Sequence, residues 1–226
     1  MPQYTTIIWD MDGVLVDSER YWSDEDFFFL KQAVPDWSQV DESLFVGRGV
    51  DDMYRILTDR YGMDMAYDEY RHNYHLVAER VYFQKASLMP FARETLRRLR
   101  DDGVPQVLVS SSPREWIRMA LDRFELEEYF SRIISADDAG GRGKPDPGIY
   151  RYAIAQIGVS LPSLVAVEDS PAGVEAARGA GLTVIGYSPQ KASGTLPGAD
   201  LMIHDLRRIP DLLKHGLPED RGGSTS

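Results

Sequence analysis

Two carboxylates lie two residues apart where a β-branched stretch of the chain ends. Asp10 and Asp12 follow the run of residues 5–8, and Gly13 comes next. Residues i and i+2 of a strand share a face, so both acids can converge at the carboxyl end of that strand, where open α/β sheets bind their ligands. Two converging acids repel each other unless a proton or a cation lies between them. Since hard divalent ions prefer oxygen ligands, the spacing predicts a magnesium site.

Polar side chains also end three later β-rich runs of the chain. Ser110 ends one run, Lys144 ends another, and the pair Glu168-Asp169 ends a third. Taken alone, each has an ordinary explanation as a turn residue, a surface lysine or a helix entry with acids near the dipole. Their coincidence with Asp10 at strand ends of one α/β pattern favours a functional site.

The elements that must position these residues alternate along the chain. Beyond residue 88, short β-rich runs alternate with helical patterns, which is typical of a parallel α/β sheet. We predict strands at 106–109, 132–134, 164–167, 183–185 and 201–203. Three helices are predicted to begin with an N-cap residue followed by proline at the first helical position, at Ser112-Pro113, Asp146-Pro147 and Ser170-Pro171. Glu115 would complete a capping box with Ser112.

Residues 19–88 differ from the rest of the chain. They show helical periodicity and no convincing strand. We therefore predict a small all-helical cap at 19–88, inserted into a catalytic core formed by residues 1–18 and 89–217. Residues 218–226 are expected to be a disordered tail.

The composition excludes several classes of protein. The net charge of -11 argues against nucleic acid as a partner, because a phosphate backbone requires a basic footprint. No apolar run is long enough to span a bilayer, and the first residues lack the features of a signal peptide. With no cysteine in the chain, disulfides and thiolate metal sites are excluded. We expect a cytoplasmic protein without a membrane partner. The sequence contains no feature that indicates the oligomeric state.

Four segments of the chain resemble the motifs of the haloacid dehalogenase superfamily, in its β-phosphoglucomutase/phosphatase-like branch with a helical cap after the first strand. They are Trp9–Leu15, Val109–Ser112, Gly143–Pro147 and Val167–Gly173, in the family's order and spanning nearly the whole chain. The resemblance implies an α/β fold with a Rossmann-like parallel-sheet core and an all-helical cap. It also implies phosphoryl transfer through an aspartyl phosphate.

The resemblance implies roles for the acidic residues. Asp10 would be the nucleophile that attacks phosphorus in line. Asp12 would be the general acid for the leaving oxygen and then the base for water, with its backbone carbonyl on the metal. Mg²⁺ would be held by Asp10 and Asp169, and Glu168 would either bind it directly or orient a bound water.

The resemblance also implies a phosphate site. Ser110 and the N–H group of Ser111 would bind phosphate oxygens, and Lys144 would balance the charge between Asp10 and the transferred phosphoryl group.

Three residues of the predicted cap are candidates for substrate specificity. Arg48 lies where relatives often place a residue that reaches the substrate, although an ordinary exposed arginine is an equal alternative. Glu19 and Trp22 follow the nucleophile loop and are candidates to line the entrance. Trp22 is equally compatible with the cap core.

The predicted function is a magnesium-dependent phosphatase that hydrolyses a small phosphorylated metabolite, preferably a sugar phosphate. A β-phosphoglucomutase is the alternative within the same fold. Such mutases usually carry a histidine where this chain has Trp22, which favours the phosphatase. An alternative of another class is a non-catalytic protein that binds phosphorylated ligands, and the complete set of catalytic groups disfavours it.

Overall fold

A parallel sheet forms the centre of the protein, here described from a computed structural model that covers residues 4–40, 48–190 and 195–218. The strands in chain order are β1 (Thr6–Trp9), β2 (Val16–Asp17), β3 (Ser87–Leu88), β4 (Gln106–Ser110), β5 (Arg132–Ser135), β6 (Leu164–Glu168), β7 (Thr183–Tyr187) and β8 (Leu201–Ile203). Six of them form one sheet in the spatial order β5-β4-β1-β6-β7-β8, and every neighbouring pair is parallel.

This strand order confirms the predicted Rossmann-like α/β fold. The order runs outward in both directions from β1, so the direction of winding reverses between β1 and β6, where doubly wound sheets bind their ligands. Trp9 of β1 is aligned with Val167 of β6 and with Leu108 of β4. The next residue along β1 is Asp10, which the register therefore places beside the end of β6.

The helices in chain order are α1 (Glu19–Ala33), α2 (Val50–Tyr61), α3 (Tyr67–Arg80), α4 (Ala92–Asp101), α5 (Arg114–Phe124), α6 (Gly148–Ile157), α7 (Pro171–Gly179) and α8 (Ile209–His215). Those from α4 onward cover both faces of the sheet. Because alternate strand residues point to opposite faces, Trp9 packs in the apolar cluster of α4, α5 and α8, whereas Ile8 packs in that of α6 and α7. None of the helices in the described part of the chain is long and apolar enough to span a membrane.

The segment predicted as an all-helical insertion contains α1, α2, α3 and a π-helical turn at Val81–Lys85. The expectation that it holds no strand is wrong at its end, because β3 pairs antiparallel with β2 through Val16↔Leu88 and Asp17↔Ser87. A two-residue strand is too short to show alternation, so the sequence gives no periodic signal for it. The division into core and cap domains stays a prediction, and residues 219–226 of the predicted tail lie outside the described residues.

Two of the three predicted helix starts are displaced. Only Ser170-Pro171 behaves as expected, with the Ser170 hydroxyl accepting a hydrogen bond from the Gly173 N–H at 3.0 Å. Helix α5 begins at Arg114 and α6 at Gly148, so Pro113 and Pro147 are the N-cap residues themselves. The capping box predicted for Ser112 and Glu115 is absent, since the Ser112 hydroxyl makes a different bond, described below.

Candidate active site

Lys144 lies buried between two carboxylates at the carboxyl edge of the sheet. Its Nζ atom is 2.6 Å from Oδ1 of Asp10 and 2.6 Å from Oε1 of Glu168, and only 1% of Lys144 is exposed. Burial acts to lower the pKa of the Lys144 ammonium group, but the charges of Asp10 and Glu168 outweigh it and raise that pKa above its usual value. Lys144 is therefore a permanent cation in contact with the predicted nucleophile.

Three carboxylates converge at the same edge. Oxygen atoms of Asp10, Glu168 and Asp169 all lie within 4.8 Å of one another. Burial, followed by the charge of Asp10, raises the pKa of Glu168 to about 7 and that of Asp169 well above its usual value. Oε2 of Glu168 is buried and has no hydrogen-bond partner among the described residues. Hard oxygen donors held this close together, with one left unpaired, form a site suited to a divalent cation.

Two glycines make room for these carboxylates. A Cβ atom at Gly13 would lie 1.8 Å from Oδ2 of Asp169, and Gly13 also has a φ of +77°, which side chains rarely tolerate. A Cβ atom at Gly173 would lie 1.9 Å from Oε2 of Glu168. Any side chain at either position would displace an oxygen of the acidic group.

Asp12 does not join this acidic group through its side chain. Its Oδ1 atom accepts hydrogen bonds from the hydroxyls of Ser18 at 2.5 Å and Tyr82 at 2.7 Å, and its Oδ2 atom accepts one from Ser112 at 3.1 Å. Burial and the nearby Asp10 raise the pKa of Asp12 to about 6, although the three hydroxyls oppose the shift. A carboxyl group with this pKa can both give and take a proton near neutral pH.

Ser110 ends β4 and Ser111 follows it, and both serines are buried. The Ser110 hydroxyl accepts a hydrogen bond from the Ser112 N–H at 3.1 Å, and the Ser111 hydroxyl accepts one from the Lys144 N–H at 3.0 Å. The second bond joins the end of β4 to the loop that carries Lys144. The structure thus brings these predicted phosphate-site residues together with Asp10.

The cap candidates occupy different surroundings. Glu19 is half-buried near the acidic group, and burial, then Asp12 and Asp10, raise its pKa to about 8. Trp22 stacks on Trp116 with ring centroids 5.3 Å apart, so its contacts are those of a packing residue.

Arg48 lines a cavity beside the loop that carries Lys144. The cavity has a volume of about 450 Å³ and is lined by Arg48, Asp52, Arg55, Ile56, Arg142, Pro145 and Asp146. One of its lining residues, Pro145, follows Lys144 directly in the chain. Its lining contains three guanidinium groups and two carboxylates, so it offers donors and acceptors to a polar ligand.

Three site residues were missed from the sequence. The hydroxyls of Ser18 and Tyr82 bind Asp12, and the buried Tyr150 hydroxyl donates to Glu168. Ser18 precedes a helix and Tyr150 lies on one, which predicts a cap and a packing residue respectively. Tyr82 is 70 residues from Asp12, so no local signal could have found it.

The chain was compared with protein families and with known proteins. The family model described as Haloacid dehalogenase-like hydrolase matches residues 7–187. The chain is 29% identical over 218 residues to Validoxylamine A 7'-phosphate phosphatase of Streptomyces hygroscopicus subsp. limoneus, covering 91% of this chain and 96% of that protein. It is 27% identical over 176 residues to Phosphorylated carbohydrates phosphatase of Thermotoga maritima, covering 78% and 81%.

A solved structure agrees over a similar length. The structure of a "putative beta-phosphoglucomutase" from Thermotoga maritima is 27% identical and has a TM-score of 0.68, covering 94% of this chain and 99% of that one. Every residue of the site described above lies within the matched residues 7–187.

Proposed function

The chain belongs to the haloacid dehalogenase-like hydrolase family and is a phosphohydrolase, and we propose that it is a magnesium-dependent phosphatase for a small phosphomonoester. One observation carries the proposal: Lys144 lies 2.6 Å from Asp10 in a buried site. A carboxylate and a phosphate ester repel each other, and a buried ammonium group at the point of approach offsets that repulsion. This pair therefore supports Asp10 as the nucleophile.

The acidic group fits a magnesium ion because its donors are hard oxygens and Oε2 of Glu168 is unpaired within the described structure. Asp10 and Asp169 would hold the ion together with the backbone carbonyl of Asp12, and Glu168 would bind it or orient one of its waters. When bound, the ion supplies positive charge to the oxygens of the transferred phosphoryl group.

The residues of the chain account for two steps. In the first, a carboxylate oxygen of Asp10 forms a bond to phosphorus as the ester P–O bond breaks, and the proton of Asp12 moves to the departing oxygen. In the second, water attacks the aspartyl phosphate, the Asp12 carboxylate takes the proton of that water, and inorganic phosphate leaves. Ser110 and the Ser111 N–H would bind phosphate oxygens, with Lys144 balancing their charge.

The cavity beside Lys144 supports a polar organic group on the substrate. Arg48 and Arg142 offer guanidinium donors to hydroxyl or anionic groups, and Asp146 offers acceptors to hydroxyls. Two relatives are named for validoxylamine A 7'-phosphate and for phosphorylated carbohydrates. We propose a sugar phosphate as the substrate, with its sugar in this cavity.

A phosphosugar mutase is the second candidate, favoured by the similarity to the structure named for a β-phosphoglucomutase. The packing of Trp22 against Trp116 favours the phosphatase instead, because it leaves an apolar ring where such mutases usually carry a histidine. Incubation with β-glucose 1-phosphate and a trace of the bisphosphate separates the two. A mutase isomerises the sugar phosphate without releasing phosphate, whereas a phosphatase releases it.

The nucleophile is tested with Asp10→Asn, which keeps the shape of the side chain. We expect phosphate release from a panel of sugar phosphates with magnesium to fall at least about a thousandfold. The matched control is Asp59→Asn, the same change at an exposed position of α2, which should leave the rate unchanged. Normal turnover by Asp10→Asn would refute the mechanism. No activity of the wild-type protein on the whole panel would favour the non-catalytic binding protein.

A further inference from the structure

The two oxygens of the Asp12 carboxyl group have unequal surroundings. Oδ1 accepts two hydrogen bonds, from Ser18 at 2.5 Å and from Tyr82 at 2.7 Å, whereas Oδ2 accepts one, from Ser112 at 3.1 Å. A carboxylate oxygen has two lone pairs directed in its plane. Within the described structure, both positions on Oδ1 are therefore occupied, and Oδ2 keeps one position for a proton.

With Asp12 ionised, Tyr82 is the donor in the hydrogen bond between their side chains. An ionised carboxylate has no hydrogen to donate in return.

The surrounding structure fixes Tyr82 in this position. Tyr82 belongs to the π-helical turn at the end of the helical insertion and is fully buried. Its ring lies edge-on to that of Trp22 at 5.7 Å, and its backbone carbonyl accepts a hydrogen bond from Arg123 of α5. The hydroxyl is thus presented to Asp12 by contacts from two sides of the molecule.

We propose that Tyr82 is a positioning residue for the proton of Asp12, since with Ser18 it saturates Oδ1 and leaves Oδ2 as the oxygen that carries the transferred proton. This inference rests on the proposed function. In the first step, the proton on Oδ2 moves to the ester oxygen as the P–O bond to that oxygen breaks and a P–O bond to Asp10 forms. Asp12 is left as a carboxylate that still accepts all three hydroxyls.

The inference predicts a specific defect in Tyr82→Phe. The substitution keeps the ring but frees one position on Oδ1, so the proton of Asp12 can move to Oδ1 and leave Oδ2, the oxygen that we propose transfers it. Esters with poor leaving groups depend on that proton, whereas p-nitrophenyl phosphate departs as a stable anion and depends on it little.

The experiment measures kcat/KM for a series of phosphate esters of graded leaving-group acidity, at a pH on the plateau of each variant's profile. For Tyr82→Phe we expect a loss of about tenfold or more with alkyl esters and about twofold or less with p-nitrophenyl phosphate. Ser18→Ala removes the other donor to Oδ1, and it should likewise lower kcat/KM more for esters with poor leaving groups than for p-nitrophenyl phosphate. Tyr70→Phe is the matched control, because it removes another buried hydroxyl of the insertion, one that donates to the Val50 carbonyl at 2.9 Å.

The outcomes separate this inference from the proposed function. If Tyr82→Phe lowered kcat/KM equally for all esters, the role of Tyr82 would be merely structural and the inference would be overturned. The inference would also be overturned if Tyr70→Phe lowered kcat/KM more for alkyl esters than for p-nitrophenyl phosphate. A dependence of kcat/KM on leaving-group acidity that stays as in the wild-type protein in both Tyr82→Phe and Ser18→Ala would also overturn it. Full activity of Asp10→Asn would instead refute the proposed function, whatever the result for Tyr82.

Discussion

The carboxyl edge of the sheet and the helical insertion contribute to the site in different ways. The sheet edge brings together ionisable groups from the ends of β1 and β6 and from the loop before α6, and Nζ of Lys144 lies 2.6 Å from an oxygen of each of its two carboxylate partners. The described residues of the insertion contribute aromatic packing, with the ring of Trp22 in contact with those of Tyr74 and Tyr82, and one hydroxyl hydrogen bond to Asp12. The sheet edge thus holds the proposed reacting groups, and the insertion contacts one of them through Tyr82.

Removal of the cation at the sheet edge should have the largest effect. Lys144→Met leaves Asp10 and Glu168 buried without their partner, and an uncompensated buried charge costs about 3–5 kcal/mol. We expect the free energy of unfolding, measured by urea denaturation at pH 7 without metal, to fall by about 3 kcal/mol. The rate of phosphate release should fall at least about a hundredfold, since the positive charge beside Asp10 is lost.

A matched lysine on the surface provides the control. Lys214 pairs with Asp102 at 3.0 Å, but about half of its side chain is exposed. Lys214→Met should change the free energy of unfolding by less than about 1 kcal/mol, because an exposed ion pair is weak. Equal effects of the two substitutions would show that the sheet edge does not depend on its buried cation.

The acids of this edge, together with Glu19 of the insertion, should make the metal-free protein less stable as the pH rises. The pKa of Glu168 is raised to about 7 and that of Glu19 to about 8 in the folded state, from 4.5. Between pH 4.5 and pH 8 the folded protein therefore binds more protons than the unfolded chain, so its stability falls with rising pH. Acids whose pKa is lowered in the folded state, such as Asp138, change the pH dependence of the stability only below this range.

Thermal unfolding in a chelator should show the loss. We expect the melting temperature to drop by about 5 °C between pH 5 and pH 8, and magnesium should reduce the drop because a bound cation favours the ionised carboxylates. Glu168→Gln, which removes one of the titrating groups, should flatten the dependence. A melting temperature that rises over this interval would contradict the assignment of these acids to a buried cluster.

Most of the proposed reacting groups at the sheet edge were predictable, because a local sequence pattern marks the end of a strand. Asp10, Ser110 and the pair Glu168-Asp169 lie at strand ends, and parallel strands bring those ends to one edge. The expectation that Lys144 ends a β-rich run is wrong, because β5 ends at Ser135 and Lys144 lies in the loop before α6. The strand boundaries agree within one or two residues for the same reason. Fold class and reacting residues therefore came from the pattern and from the family resemblance together.

The surroundings of Asp12 could not be predicted because they override local preferences. Ser18 and Ser112 both precede helices, where serine normally caps the first turn, yet neither side chain makes a cap hydrogen bond. Both hydroxyls bind Asp12 instead. Tyr82 reaches Asp12 through the packing of the insertion. Local hydrophobic periodicity in the sequence does not predict such a long-range contact.

The smallest effect is expected where the two regions meet at the surface. Glu115, at the start of α5, lies 3.7 Å from Arg71 and 3.5 Å from His75 of α3, and half of its side chain is exposed. Solvent screens such pairs, so Glu115→Gln should lower the free energy of unfolding in urea by no more than about 0.5 kcal/mol. Its phosphatase activity should equal that of the wild-type protein. A loss above about 2 kcal/mol, or a changed rate, would mean that these charges, and not the buried contacts of Trp22 and Tyr82, hold the insertion against the sheet edge.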